Sequence, residues 1–392
     1  MIDTLEENFE EVSFTLESWS PELDQQVYDA DVFPPLWRYP VTLPIIRFSP
    51  LTILEAGRKI PYTLMNRITG NSVRNSWLLR SKEQELIKRM SDSDLIISCG
   101  GGYLHDTYGP AFLRHLYTLS VANSIDTPVM VYAQSIGPFS SEYYGRIAAS
   151  VLNGTDHITI RDKISQEYLS NIFVTETPIE VTADAAFLLT PRPSEKCSNG
   201  LSEIESSDFP VGITVRKWEY PGASDPEFLR KRYRKEMANY IDYLHRTQSA
   251  DIYFFNHTPE DKREAERILT RCESTPDTTI LNPDIHPREL KTMTGAVDLF
   301  VGTRMHSTIF SMAMKTPTVS IAYLPKSTDL MERLGLDQFV VDIDEVTGND
   351  LIQMTEMIHT DESYRQKLDE GISKIKKLSG KNAEIAEQLI DD

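Results

Sequence analysis

Val297-Asp298-Leu299-Phe300-Val301-Gly302-Thr303-Arg304-Met305-His306-Ser307-Thr308-Ile309-Phe310-Ser311-Met312-Ala313 decides the fold. A short apolar run, Leu299-Phe300-Val301, stops at Gly302, and helical spacing of apolar residues starts at about Thr303. That pattern is a strand passing through a tight turn into a helix. The turn presents Arg304 and His306 beside a helix N-terminus, which attracts anions. An arginine fork matches phosphate or carboxylate, and histidine moves protons near neutral pH. The stretch fits equally a structural turn whose arginine pairs with an aspartate and whose histidine caps the helix.

The same rhythm extends outward on both sides. Residues 211–215, 251–255 and 279–281 read as strands, alternating with helices over 225–247, 261–272 and 287–294. Beyond the opening stretch come strands at 318–322 and 339–341, a helix at 327–334, and closing helices at 350–359 and 361–389. The first half repeats the pattern. Strands are expected at 94–99, 129–133, 157–160 and 180–182, with helices at 82–90, 112–122 and 143–152 and another from 165. Strands alternating with helices imply parallel sheets with helices on both faces. Residues 190–208, with Pro191, Pro193 and Ser198-Asn199-Gly200, break the rhythm and read as a linker. The expected organisation is an N-terminal Rossmann-like domain over 1–195, a linker over 196–208 and a C-terminal Rossmann-like domain over 209–392. Residues 1–9 read as the tail of a helix and 12–16 as a strand. The chain is therefore expected to begin inside a βα unit, its first domain lacking a first strand. Residues 20–75, with Pro34-Pro35, Pro40, Pro44, Pro50 and Pro61, read as an irregular excursion, a lid or a partner-binding segment.

A chain of 392 residues fits two domains. A formal net charge of −19 disfavours nonspecific binding to nucleic acid and to anionic membranes, while leaving room for a local basic pocket. Cys99, Cys197 and Cys272 are scattered, with no CxxC or Cys/His cluster, so neither a disulfide framework nor a zinc site is indicated. The acidic start lacks a signal-peptide core, and no apolar run reaches the ~18 residues of a membrane span. The expected location is the cytoplasm, with no transmembrane segment and at most a peripheral membrane association.

Parallel sheets bind ligands at the carboxyl ends of their strands, here expected in a cleft between the domains. Polar candidates cluster at those ends. Gly100-Gly101-Gly102 follows a strand and lets backbone N–H groups approach a ligand, or is a plain tight turn. His105-Asp106 beyond it reads as a capping or a catalytic pair. Gln134, at the next strand end, reads as a sugar contact or part of a turn. Arg161-Asp162 reads as a structural pair. Arg216 leaves an apolar strand and needs an anionic partner, with Trp218 nearby as a stacking surface or a core residue. Asn256-His257 reads as a helix N-cap region. Lys326 is either a third cation or a solvated lysine. Arg216, Arg304 and Lys326 together, in a strongly acidic chain, point to a small anionic ligand.

This ordered set resembles the polysaccharide pyruvyl transferases. The residues that carry the resemblance are Cys99-Gly100-Gly101-Gly102-Tyr103-Leu104-His105-Asp106, Gln134-Ser135-Ile136-Gly137-Pro138, Ile160-Arg161-Asp162-Lys163-Ile164-Ser165, Ala183-Asp184-Ala185-Ala186-Phe187, Val215-Arg216, Gly302-Thr303-Arg304-Met305-His306 and Tyr323-Leu324-Pro325-Lys326. The resemblance implies a GT-B-like pair of domains. It implies transfer of the pyruvyl unit of phosphoenolpyruvate to sugar hydroxyls of a polysaccharide or its lipid-linked precursor, as a ketal. Arg216 and Arg304 would clamp phosphate and carboxylate, and His306 would protonate the enol carbon. Asp106 would orient or deprotonate the hydroxyl, and Lys326, Gly101, Gly102 and Gln134 would complete the binding set. Phosphoenolpyruvate is the co-substrate, and no metal or redox cofactor is implied. Two departures stand out. The family's usual first strand and Gly/Asn/Asp-rich loop are missing ahead of residue 1, and Leu324 stands where many members carry Asp. A nucleotide-sugar glycosyltransferase and a non-catalytic glycan-binding relative are the competing readings.

Overall fold

The computed structural model describes residues 1–37, 58–59, 61–63, 65–66, 76–107, 110–194, 198–281 and 285–391. Most of the Pro-rich stretch, including Pro40, Pro44 and Pro50, and Cys197 lie outside the described residues. The chain forms two compact units, Met1–Ala185 with Leu378–Asp392, and Ala186–Lys377.

The second unit contains a six-stranded sheet built from β8 (Pro210–Thr214), β9 (Asp251–Phe254), β10 (Thr278–Ile280), β11 (Leu299–Gly302), β12 (Thr318–Ala322) and β13 (Val340–Asp342). Its order is β10-β9-β8-β11-β12-β13 and every pairing is parallel. Numbered within the unit, that is 3-2-1-4-5-6, the dinucleotide-binding order. All residues of β8, β11 and β12 are buried, because helices cover both faces and alternation has no solvent side to report. The strands pack with Tyr233, Met237, Tyr240, Ile241 and Leu244 of the helix Pro226–Gln248. Asp225 caps that helix by accepting from the Phe228 N–H at 2.9 Å.

The first unit holds a five-stranded parallel sheet of β3 (Ile96–Ser98), β4 (Gly101–Leu104), β5 (Val129–Ile136), β6 (His157–Ile160) and β7 (Ile179–Val181). The order is β3-β5-β6-β7, with β4 also pairing to β5. Among the described residues, the strand expected near 12–16 is β1 (Thr15–Glu17). It pairs with β2 (Asp31–Phe33) in a separate two-stranded parallel sheet. Part of the stretch expected to be irregular therefore has regular structure, including a helix Pro21–Val27.

Two further differences concern boundaries. The span expected to be a linker contains a helix, Ser198–Ser206, anchored by buried Ile204, and the chain leaves the first unit already at Ala185. The last helix, Glu362–Asp391, ends in the first unit. There Asn382 donates to Ala183 O at 3.1 Å and accepts from the Thr182 hydroxyl at 2.8 Å. Among the described residues, no helix is long and apolar enough to cross a membrane.

Arg161 is structural, as expected, but its partner is Asp184 rather than Asp162. Its Nε also donates to Ser135 Oγ at 2.8 Å. Asp162 instead caps the helix Lys163–Asn171 by accepting from the Ser165 N–H at 2.8 Å. Arg161→Ala is expected to destabilise the protein by roughly 3–5 kcal/mol, because it leaves a buried carboxylate without its cation. Urea denaturation checks this, and Asp162→Ala should cost less, since among the described residues the hydrogen-bond partners of Asp162 are the neutral Ser135 and Ser165.

Candidate active site

The strand order reverses between β8 and β11, and a Rossmann-type sheet opens a crevice at that point. Register fixes what stands there. Gly302 of β11 lies opposite Thr214 of β8 and Ser320 of β12, while Phe254 of β9 lies opposite Ile213. A few residues past these rungs come His257, Arg216, Arg304 with His306, and Tyr323 with Lys326. Four neighbouring strands thus deliver the row from their carboxyl ends.

The turn after β11 is tightly made. Gly302 lets the helix Met305–Ala313 close down on the strand end, for a Cβ there would collide with Thr308 Oγ1. Thr214 Oγ1 accepts from the N–H of Thr303 at 3.0 Å and of Arg304 at 3.1 Å. The Thr303 hydroxyl meets Tyr233 Oη at 2.8 Å, in the buried interior.

Arg304 is anchored. Its Nη2 pairs with Asp261 Oδ1 and reaches Thr258 Oγ1 at 3.4 Å. Asp261 is 1% exposed, and its other oxygen accepts from the N–H groups of His257 at 3.2 Å and Thr258 at 3.0 Å. That carboxylate belongs to the capping box of the helix Pro259–Leu269, capped by Thr258 rather than by Asn256 or His257. The structural alternative for Arg304 therefore holds in part. One guanidinium nitrogen has an aspartate partner, while its buried Nε has no hydrogen-bond partner among the described residues.

Arg216 is held differently. Its guanidinium lies over the Tyr323 ring at 4.2 Å and the Trp218 ring at 5.3 Å. The two rings meet at 5.0 Å. Trp218 is buried, so it is a core residue and a support for Arg216 rather than a sugar platform. Among the described residues Arg216 has no carboxylate partner. His306 is exposed in the first turn of its helix and does not cap it, the cap position being Arg304. Lys326 is half-buried in the first turn of the helix Pro325–Arg333.

His257 joins this row although its sequence context suggested only a cap region. Its Nε2 is hydrogen-bonded to Ser307 Oγ. Burial, then the charges of Arg304 and His306, push its pKa down to about 4 against a weaker opposing pull from Asp261. It is therefore a neutral imidazole at physiological pH. The signal available in sequence was its position directly past an apolar strand, the same signal that marked Arg216.

The remaining candidates sit in the first unit. The glycine run does not turn straight into a helix: Gly101 and Gly102 belong to β4, and the next α-helix starts at Leu113. Gln134 lies inside β5 and is fully buried. Its Nε2 donates to Cys99 O at 2.7 Å, where Tyr103 Oη also donates. In this conformation the Gln134 amide nitrogen holds the glycine run, while its buried Oε1 has no hydrogen-bond partner among the described residues. Asp106 is buried, and one of its oxygens accepts from the Ser140 N–H at 2.6 Å and Oγ at 2.7 Å. It ties a loop. His105 bridges locally, accepting at Nδ1 from the Thr107 N–H at 3.2 Å with Nε2 at 2.9 Å from Gly102 O.

Comparison with known proteins agrees with this architecture. A family model described as polysaccharide pyruvyl transferase matches residues 3–325. The chain is 24% identical over 305 residues to the amylovoran biosynthesis protein AmsJ of Erwinia amylovora, covering 75% of this chain and 72% of that protein. Among solved structures, a putative UDP-N-acetylglucosamine 2-epimerase from Listeria monocytogenes superposes with a TM-score of 0.59 at 12% identity, over 95% of this chain and 86% of that one. Anabaena HepE in complex with UDP-glucose gives a TM-score of 0.51 at 13% identity, over 78% and 81%. Identities this low speak for the fold, two Rossmann-like domains, and not for the substrate.

Proposed function

We propose that this chain, which belongs to the polysaccharide pyruvyl transferase family, moves the pyruvyl group of phosphoenolpyruvate onto two hydroxyls of a sugar. The acceptor is a cell-surface polysaccharide or its precursor, in keeping with the family. The observation that carries the reading is the row at the switch point. Two arginines stand on adjacent strand ends with His306 two residues beyond one of them, in a chain of net charge −19. Phosphoenolpyruvate carries a phosphate and a carboxylate, and two separately held guanidinium groups suit two anionic ends.

His306 donates a proton to the methylene carbon, and the adjacent carbon becomes an oxocarbenium-like centre. A sugar hydroxyl adds there and releases its proton. The carbon–oxygen bond to phosphate then breaks, and phosphate departs toward the cations, which stabilise its charge. A second hydroxyl adds to the same carbon and closes the ketal. One hydroxyl proton in total ends on the methyl group, through return to His306, and the other on phosphate. Lys326 adds positive charge on the neighbouring strand end.

Titration calorimetry tests the donor. Phosphoenolpyruvate is expected to bind the wild-type protein, and Arg216→Ala is expected to weaken it. Binding of UDP-glucose with no response to phosphoenolpyruvate would instead support a nucleotide-sugar transferase.

A further inference from the structure

His257 and Ser307 are 50 residues apart in sequence, yet their side chains are hydrogen-bonded at the end of the sheet. Their bond closes a ring. Arg304 pairs with Asp261, and Asp261 accepts from the His257 N–H. The His257 ring meets Ser307, and the backbone returns from Ser307 through His306 to Arg304. This ring links the carboxyl ends of β9 and β11, which are separated in the sheet by β8. Its one solvent-exposed histidine is His306.

We propose that His257 is a positioning residue for the transfer reaction. Through Ser307 it fixes the first helical turn that carries His306 and holds it in register with the Arg304 guanidinium. The inference rests on the reading of His306 as the proton donor. Three features support it. Ser307 is fully buried, so its hydroxyl needs a partner, and His257 supplies it. Displacement of a catalytic group by about 1 Å can cost roughly 100-fold in rate, so the register of the turn that carries His306 matters. The charged and titratable groups facing His257 are Arg304 and His306, from the start of one helix, and Asp261, from another, and their sum with burial keeps the imidazole uncharged.

The experiment uses the whole chain with His257→Ala, His257→Gln and Ser307→Ala, each checked for a folded thermal transition. The turnover number with phosphoenolpyruvate and acceptor is expected to fall roughly 10- to 100-fold in His257→Ala and Ser307→Ala. The Michaelis constant for phosphoenolpyruvate should stay within about twofold. His257→Gln, which keeps a hydrogen-bonding group near Ser307, should recover much of the loss. A parallel readout needs no turnover: NMR titration of ¹⁵N-histidine-labelled protein. In the wild type the His257 ring should stay neutral down to about pH 5. In Ser307→Ala it should begin to titrate above that pH as it gains water, and the His306 midpoint should move with it. Unchanged turnover in both truncations, or a His306 titration indifferent to Ser307→Ala, would overturn the proposal. If the wild type turns over no phosphoenolpyruvate, the functional reading fails, while the NMR arm still decides whether His257 controls His306.

Discussion

His306→Ala is expected to lower ketal formation by roughly 10²- to 10⁴-fold, the usual contribution of a positioned general acid, while phosphoenolpyruvate binds almost as before. The reason lies in how the anion-binding groups are held. Arg304 is secured by Asp261 and Arg216 by Tyr323 and Trp218, so neither leans on the His306 side chain. The imidazole is exposed, so it can be truncated without opening a cavity and the variant should still fold. Calorimetry and a phosphate-release assay on the same preparation separate binding from chemistry. Full activity in the variant would remove His306 from the acid role.

The second large effect separates the two arginines. Arg304→Ala is expected to raise the dissociation constant for phosphoenolpyruvate roughly 30-fold or more, the cost of losing one partner of a desolvated charge pair. It should also destabilise the fold, by up to roughly 3–5 kcal/mol, because Asp261 stays buried without its cation. Arg216→Ala should weaken phosphoenolpyruvate comparably, yet cost no more than about 1 kcal/mol of stability, since among the described residues only cation–π contacts are lost. Two variants alike in ligand affinity and unlike in melting temperature would reflect the anchoring seen here. Equal melting temperatures would mean that Asp261 does not depend on Arg304.

The fold was legible in the sequence because its strands are short apolar runs ended by Gly, Arg or His, and parallel strands covered on both faces have little else to show. Arg216, Arg304 and His306 were legible for the same reason: charge immediately beyond an apolar strand needs an explanation. What was missed depends on contacts between distant positions. Arg161 was read with its neighbour Asp162, but the fold brings Asp184 to it. Asp261 was read as the start of a helix, and its second task, holding Arg304 across 43 residues, leaves no local trace. His257 was set aside as part of a cap region because Ser307 cannot be seen from it in the chain. Residues 101–104 became a strand by pairing with β5, whose register shifts there, and no spacing rule anticipates that. Ser198–Ser206, rich in Ser with a Gly, offers little helical propensity. Its buried Ile204 shows tertiary packing deciding the matter.

The most direct measurement is to incubate the wild-type protein in D₂O with phosphoenolpyruvate and a panel of glycans, following phosphate release together with the mass and NMR spectrum of the glycan. Pyruvyl transfer with proton delivery to the enol carbon predicts phosphate in step with an acceptor gaining one pyruvate ketal, its methyl group carrying deuterium. Modification of the glycan from a nucleotide sugar with no phosphoenolpyruvate requirement, or phosphoenolpyruvate consumed without a ketal, would contradict it.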